Sequence, residues 1–176
     1  MLGNCALAAD LPRVELKTSL GSIILELEQG KAPGTVENFI EYVTSGFYDD
    51  MIFHRVIPGF VIQAGGYDRD LVGYETNEPI RNEAANGLKN LRGTIAMARN
   101  NDPHSADSQF YFNLKDNPNL DHRARTMTDY GYCVFGRVVD GMDVVDAIAV
   151  METHTVDGFD DVPVTPVLIE TARLLE

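Results

Sequence analysis

Arg55 stands in the stretch FHRVIPGFVIQAGG, residues 53–66, among Phe53, Val56, Ile57, Phe60 and Ile62. Its guanidinium is permanently charged and presents N–H donors in a rigid fork, which suits it to donate hydrogen bonds rather than to transfer protons. Gln63 follows on the next apolar run, and SQFYFN contributes Gln109 and Tyr111. Strand alternation puts Val61 and Gln63 on one face, and Gln109 and Tyr111 on the face opposite Phe110 and Phe112. If these mixed faces adjoin, they form a shallow surface of one arginine, two glutamines and an aromatic ring. Such a surface suits an extended peptide, with amides for its backbone and an aromatic wall for a compact apolar side chain. The plainer reading makes Gln63 and Gln109 solvated strand positions and Arg55 half of an ion pair at a sheet edge.

Other chemistries find little support. GxSxG, HExxH, a Walker loop and a GxGxxG between strand and helix are all missing from the sequence. His54, His104, His122 and His154 are dispersed without metal-ligand spacing, and His54 best fits a hydrogen-bonded core position in an apolar strand. Cys5 and Cys133 match no zinc or redox pattern, and Cys133, inside YCVFG, reads as a buried inert thiol.

The elements that must position these residues are mostly short strands. RVELKT and the alternating Ile23, Leu25 and Leu27 flank the turn residues Ser19 to Ser22, which predicts an N-terminal hairpin. Val36, Phe39, Ile40 and Val43 recur at helical spacing between Pro33 and Gly46, predicting a helix with one buried face. MIFHRV and FVIQA read as strands joined at Pro58-Gly59, and TIAMA, SQFYFN and YCVFGRVV as three more. Val144, Val145 and Ile148 mark a second helix, and VPVTPVLIETARLL reads as one closing strand. Polar stretches from Gly66 to Asn90 and across RNNDPHSAD and KDNPNLDHRARTMTDYG read as loops. Many short strands with two isolated helices point to a closed or nearly closed antiparallel barrel plugged by helices, because closure removes exposed sheet edges; a sandwich fits the same pattern.

The 176 residues suffice for one domain with its own core, and 44% apolar with 23% charged residues is ordinary globular usage. A net charge of -13 repels phosphate backbones and anionic lipid, which argues against nucleic-acid and membrane partners. Ala6-Leu7-Ala8 fits a signal-peptidase pattern, so residues 1–9 read as the remnant of a secretory leader and residues 10–176 as one domain. That reading places the protein in the periplasm, with the cytoplasm as the alternative.

Taken in order, FHRVIPGFVIQAGG, GTIAMAR, DSQFYFN, NLDH and YCVFGRVVDGMDVVDAI closely resemble the cyclophilin family of peptidyl-prolyl cis-trans isomerases. The resemblance covers nearly all of the chain from Arg13 onward. The pattern of KAPGTVENFIEYVTSGFYDDMIFHRV and NEAANGLKNLRGTIAMAR is most similar to bacterial members, especially periplasmic ones. It implies an eight-stranded closed antiparallel β-barrel capped by two α-helices, with a packed interior and substrate bound outside. The implied activity is rotation about Xaa-Pro peptide bonds in aid of protein folding, without metal or cofactor. The partners would be unfolded or flexible proline-containing polypeptides, and the expected state is a monomer.

Carried over residue by residue, Arg55 falls at the catalytic arginine and Gln63 at the glutamine that positions it and the substrate backbone. Phe60, Val61, Tyr111 and Leu120 match the walls of the proline pocket. Ala98 and Arg99 fall where strand-end residues bind the peptide backbone, Gln109 at a second substrate-contacting glutamine, and Tyr132 where many eukaryotic members carry histidine. Asn119 replaces an aromatic residue, which predicts weak cyclosporin binding. Tyr111 replaces a common phenylalanine and its hydroxyl needs a partner, Val61 replaces a common methionine, and the loop HRARTMTDY is longer than in close bacterial relatives. Two other functions compete: a proline-peptide binding or chaperone module with incidental catalysis, and a small-molecule carrier built on a hollow barrel.

Overall fold

The computed structural model describes residues 11–176. The leader reading of residues 1–9 and the reading of Cys5 lie outside them.

Strands β1 (Arg13–Thr18) and β2 (Gly21–Leu27) form the expected hairpin, with Leu16 directly opposite Ile23. Thr18 Oγ1 closes its turn, donating to the Gly21 carbonyl at 2.7 Å and accepting from the Leu20 amide at 3.1 Å. Helix α1 (Pro33–Thr44) opens on a proline, whose missing N–H costs nothing in the first turn. The free amides of Gly34 and Thr35 donate to the Glu83 carboxylate at 3.3 and 2.8 Å, so a side chain remote in sequence caps this helix. Its inward residues Val36, Phe39 and Val43 are buried, and Phe39 meets Phe110 edge-on at 5.5 Å and Phe135 at 5.1 Å.

The chain continues through β3 (Met51–Ile52), β4 (Arg55–Ile57), β5 (Val61–Ala64), β6 (Thr94–Met97), β7 (Phe110–Asn113) and β8 (Val134–Asp140). Helix α2 (Met142–Ala149), β9 (Thr153–Val156), β10 (Phe159–Pro163) and β11 (Leu168–Leu175) complete it. Nine strands form one antiparallel sheet in the order β3-β11-β1-β2-β8-β6-β7-β5-β4.

MIFHRV, expected as one strand, changes partner midway: Ile52 pairs with Leu168 on β11, whereas Arg55 pairs with Gln63 on β5. Only Phe53 and His54 separate the two pieces, which are the first and last strands of the sheet order. The sheet therefore curls until its ends are joined through the covalent chain rather than by a hydrogen-bonded ladder. The expected eight-stranded closed barrel is thus a nine-stranded sheet curled on itself without a closing ladder, because one expected strand is interrupted into β3 and β4. Phe53, Phe110, Phe112 and Phe135, all fully buried, fill the interior together with Phe39, which removes the space that a hollow-barrel carrier needs.

VPVTPVLIETARLL, expected as one closing strand, is divided between two. Val162 and Pro163 belong to β10, which pairs with β9 in a separate two-stranded sheet, and β11 begins only at Leu168. The overlooked signal is Asp157-Gly158: φ is +51° and +86° at these two residues, the left-handed pair that a tight hairpin turn requires.

Candidate active site

Strand register assembles the site. Arg55 lies opposite Gln63, Gln63 opposite Tyr111, Tyr111 opposite Ala96, and Ala96 opposite Val134, so five residues of β4, β5, β7, β6 and β8 form one row. Val61, Ala96, Tyr111 and Val134 make an apolar cluster separate from the barrel core, with Phe60, Leu88, Ala98, Leu120 and Tyr132 packed against it. The turn that brings Phe60 there is built by Pro58-Gly59: φ is +68° at Gly59, and the Phe60 amide donates to the Ile57 carbonyl at 3.0 Å.

A cavity of about 250 Å³ opens on this face. Phe60, Val61, Tyr111 and Leu120 line it, and Arg55, Gln63, Ala98, Arg99 and Tyr132 complete its surface. Gln109 lines an adjoining cavity of about 230 Å³ that shares Gln63, Ala98 and Arg99, so all ten residues singled out from sequence fall in one continuous region. Asn119 is exposed in the short 3₁₀ turn Pro118–Leu120 beside it.

The polar groups are held by specific contacts. Gln63 Nε2 donates to Gln109 Oε1 at 2.9 Å, which leaves Gln63 Oε1 as an acceptor for a guanidinium or a peptide N–H. Gln109 packs against Gly66, where a Cβ would fall 2.6 Å from the Gln109 amide carbon. Any larger residue at 66 would lift the glutamine out of place. Arg99 Nε donates to the Gly131 carbonyl at 3.1 Å and Nη1 to the Asn100 carbonyl at 2.9 Å, while its guanidinium sits 4.5 Å above the Tyr132 ring. Tyr132 in turn meets Tyr111 edge-on at 5.9 Å.

Beneath the apolar wall runs a network of asparagines, Asn113 at the end of β7 and Asn90 and Asn117 in stretches expected as loops. Tyr111 donates its hydroxyl to Asn90 Oδ1 at 2.8 Å, supplying the partner the phenol needs. Asn113 Nδ2 reaches the same oxygen at 3.2 Å, and the Asn90 amide donates to Asp121 at 2.7 Å. Asn117 Nδ2 donates to Asn113 Oδ1 at 2.8 Å and to the Phe60 carbonyl at 3.2 Å. Phe60, Tyr111 and the turn carrying Leu120 are thus tied together from below. Buried polar residues reveal themselves only when their partners are known, and these are far apart in sequence.

His54 is buried as expected, edge-on to Tyr67 at 4.8 Å, but not hydrogen-bonded as expected: its Nδ1 has no partner among the described residues. Burial pushes its pKa down to about 4, the neighbouring Arg55 charge pushes the same way, and the nearby Gln109 side chain opposes both. Cys133 is also buried and lies 3.5 Å from Thr35 Oγ1; burial raises its pKa to about 11, the state of an inert thiol. Arg55 is half-exposed, and its Nε lies 4.0 Å from Asp161 Oδ2 on β10.

An antiparallel barrel with a filled interior and a peptide-sized groove on its outer wall is the class that fold and site define. The family described as cyclophilin type peptidyl-prolyl cis-trans isomerase/CLD matches residues 13–174, and the chain belongs to it. It is 56% identical over 162 residues to peptidyl-prolyl cis-trans isomerase cyp18 of Streptomyces antibioticus, covering 92% of this chain and 98% of that one. It is 48% identical over 163 residues to peptidyl-prolyl cis-trans isomerase B of Escherichia coli strain K12, covering 93% and 99%. Among solved structures, a cyclophilin type isomerase of Cryptosporidium parvum superposes with a TM-score of 0.78 at 24% identity, covering 94% of this chain and 98% of that one, a likeness of fold. The same protein has been solved in the presence of the dipeptide Ala-Pro, with a TM-score of 0.77. The chain is a peptidyl-prolyl cis-trans isomerase.

Proposed function

We propose that Arg55 accelerates Xaa-Pro rotation by donating to the prolyl nitrogen as the amide twists, while the apolar cavity grips the proline ring. The observation carrying this reading is the row Arg55, Gln63, Tyr111, which puts a fixed charge, an orienting amide and an aromatic wall side by side. Amide resonance sets a rotational barrier of roughly 18–20 kcal/mol and makes uncatalysed exchange take tens to hundreds of seconds. At the twisted transition state the nitrogen regains a lone pair, so a donor aimed at it binds that state better than either planar ground state. A rate gain of about 10⁵ needs roughly 7 kcal/mol of preferential stabilisation, more than one hydrogen bond supplies. Desolvation of the amide against Phe60, Val61, Tyr111 and Leu120 strengthens the bond and contributes the remainder.

Gln63 positions Arg55 and the peptide backbone, and Ala98, Arg99, Gln109 and Tyr132 contact the flanking residues of the substrate. The clients are unfolded or flexible chains, because a folded segment seldom presents its proline to so shallow a groove. Exposed Asn119 offers no aromatic wall, so cyclosporin binds weakly. We assign the protein to the periplasm as a monomer, the compartment resting on Ala6-Leu7-Ala8, and fractionation of cells tests that assignment. Function itself is tested by titrating labelled protein with an Ala-Pro-containing peptide and recording both partners by NMR. Shifts at Phe60, Val61, Tyr111 and Leu120 with cis–trans exchange peaks in the peptide support the isomerase reading. Shifts without exchange favour the binding-module alternative.

A further inference from the structure

The small β9–β10 sheet lies outside the barrel, and nothing in the groove described above uses it. It is nonetheless anchored beside Arg55. Phe159 packs edge-on against Tyr67 at 4.9 Å, and Tyr67 packs against His54 at 4.8 Å, the residue preceding Arg55. The hairpin ladder is irregular at one place: Phe159 pairs with Val156, yet the next pair is Val162 with His154, so Asp160 and Asp161 bulge from the register. A bulge re-aims side chains. Asp160 turns back across the hairpin and accepts from Thr155 Oγ1 at 2.8 Å. Asp161 adopts a left-handed backbone, φ +61°, and directs its carboxylate toward Arg55, with Oδ2 4.0 Å from Nε.

We infer that Asp161 is a positioning residue for Arg55, an assignment that rests on Arg55 being the catalytic donor. An arginine side chain is long and rotamer-rich, and that of Arg55 is 43% exposed, so packing alone does not confine it. At 4.0 Å the Asp161 carboxylate makes no hydrogen bond to Nε; it acts as a nearby opposite charge that biases where the guanidinium sits, and it leaves both Nη groups free for Gln63 and the substrate. Because it faces Nε rather than the terminal nitrogens, Asp161 can orient the charge without occupying the donors that catalysis needs. Unusual backbone geometry concentrates at functional sites, and the bulge supplies it here.

Asp161→Asn tests the assignment, because asparagine tolerates left-handed φ and preserves the shape of the side chain. Exchange of an Ala-Pro-containing peptide is measured by NMR for the wild type, Asp161→Asn, Arg55→Ala and the double variant, at low and high salt. The expected result is a loss of kcat/KM of about threefold in Asp161→Asn at low salt, the scale an exposed ion pair reaches. Peptide affinity should be unchanged, the loss should shrink at high salt as the carboxylate is screened, and no further loss should appear in the Arg55→Ala background. Wild-type turnover in Asp161→Asn, or an equal loss with and without Arg55, overturns the assignment while leaving the isomerase reading intact. Absence of exchange with the wild type overturns both.

Discussion

Two adjacent rows of the same sheet have been given opposite tasks. Val56, Ile62, Phe112, Ile95 and Gly136 oppose one another across β4, β5, β7, β6 and β8. One residue along, or two on β8 where the register shifts, lies the row of Arg55, Gln63, Tyr111, Ala96 and Val134. Val56, Ile62, Phe112 and Ile95 are fully buried in the barrel core, and it is close packing that makes them valuable. The second row faces out, and each of its polar atoms must be either held by a neighbour or offered to a ligand. A shift of one residue in register would exchange the two faces, putting a guanidinium in the core and phenylalanine in water. Fold and site are thus specified by the same alternation, and they should separate under mutation.

The largest expected effect breaks the inner row. Phe112→Ala should cost about 3–5 kcal/mol of stability through lost burial and a residual cavity. Urea unfolding measures this, and the molecules that remain folded should retain most of their turnover. Next comes the join between the rows, at His54. The unfolded chain binds this proton near pH 6.5, as an ordinary histidine does, and the folded chain near 4. His54 therefore costs no stability above pH 6.5, and stability should fall as the pH drops from 6.5 toward 4. The shift corresponds to roughly 3 kcal/mol across that window. Comparing urea unfolding of wild type and His54→Gln at each pH isolates this contribution, and the variant should show a shallower slope. Smaller still, Tyr111→Phe should cost about 1 kcal/mol by removing the hydroxyl from Asn90, whose oxygen keeps Asn113 as a donor. The ring stays in the wall, so turnover should hold even as the melting temperature falls. The loss expected for Asp161→Asn is the least of these and the most dependent on salt.

Much of this architecture is legible in the sequence because it rests on local pattern. Val14, Leu16, Ile23 and Leu25 alternate, Val36, Phe39 and Val43 recur at helical spacing, and both patterns became elements with the predicted inward faces. All ten residues suggested for the site meet in one region, because motif order carries three-dimensional information that no single motif holds. What escaped detection depends on distant partners. The break at Phe53–His54 is a change of neighbour from β11 to β5, which residue type does not report. The asparagine network under the pocket, two loop positions and one strand end, has no pattern of its own until Asn90, Asn113 and Asn117 are seen to share partners. Asp161 lies more than 100 residues from Arg55 in a charged segment without alternation, although Asp157-Gly158 carried a turn signal for its hairpin.

The most direct test compares wild type with Arg55→Ala, measuring cis–trans exchange of a short Xaa-Pro peptide by NMR and its affinity by titration. If Arg55 stabilises the twisted amide, both proteins bind the peptide, the wild type accelerates exchange, and the variant is slower by at least about tenfold, or roughly 1.4 kcal/mol of transition-state stabilisation. If Arg55→Ala exchanges the peptide as fast as the wild type, the guanidinium is not the catalytic group and the outer row needs another explanation.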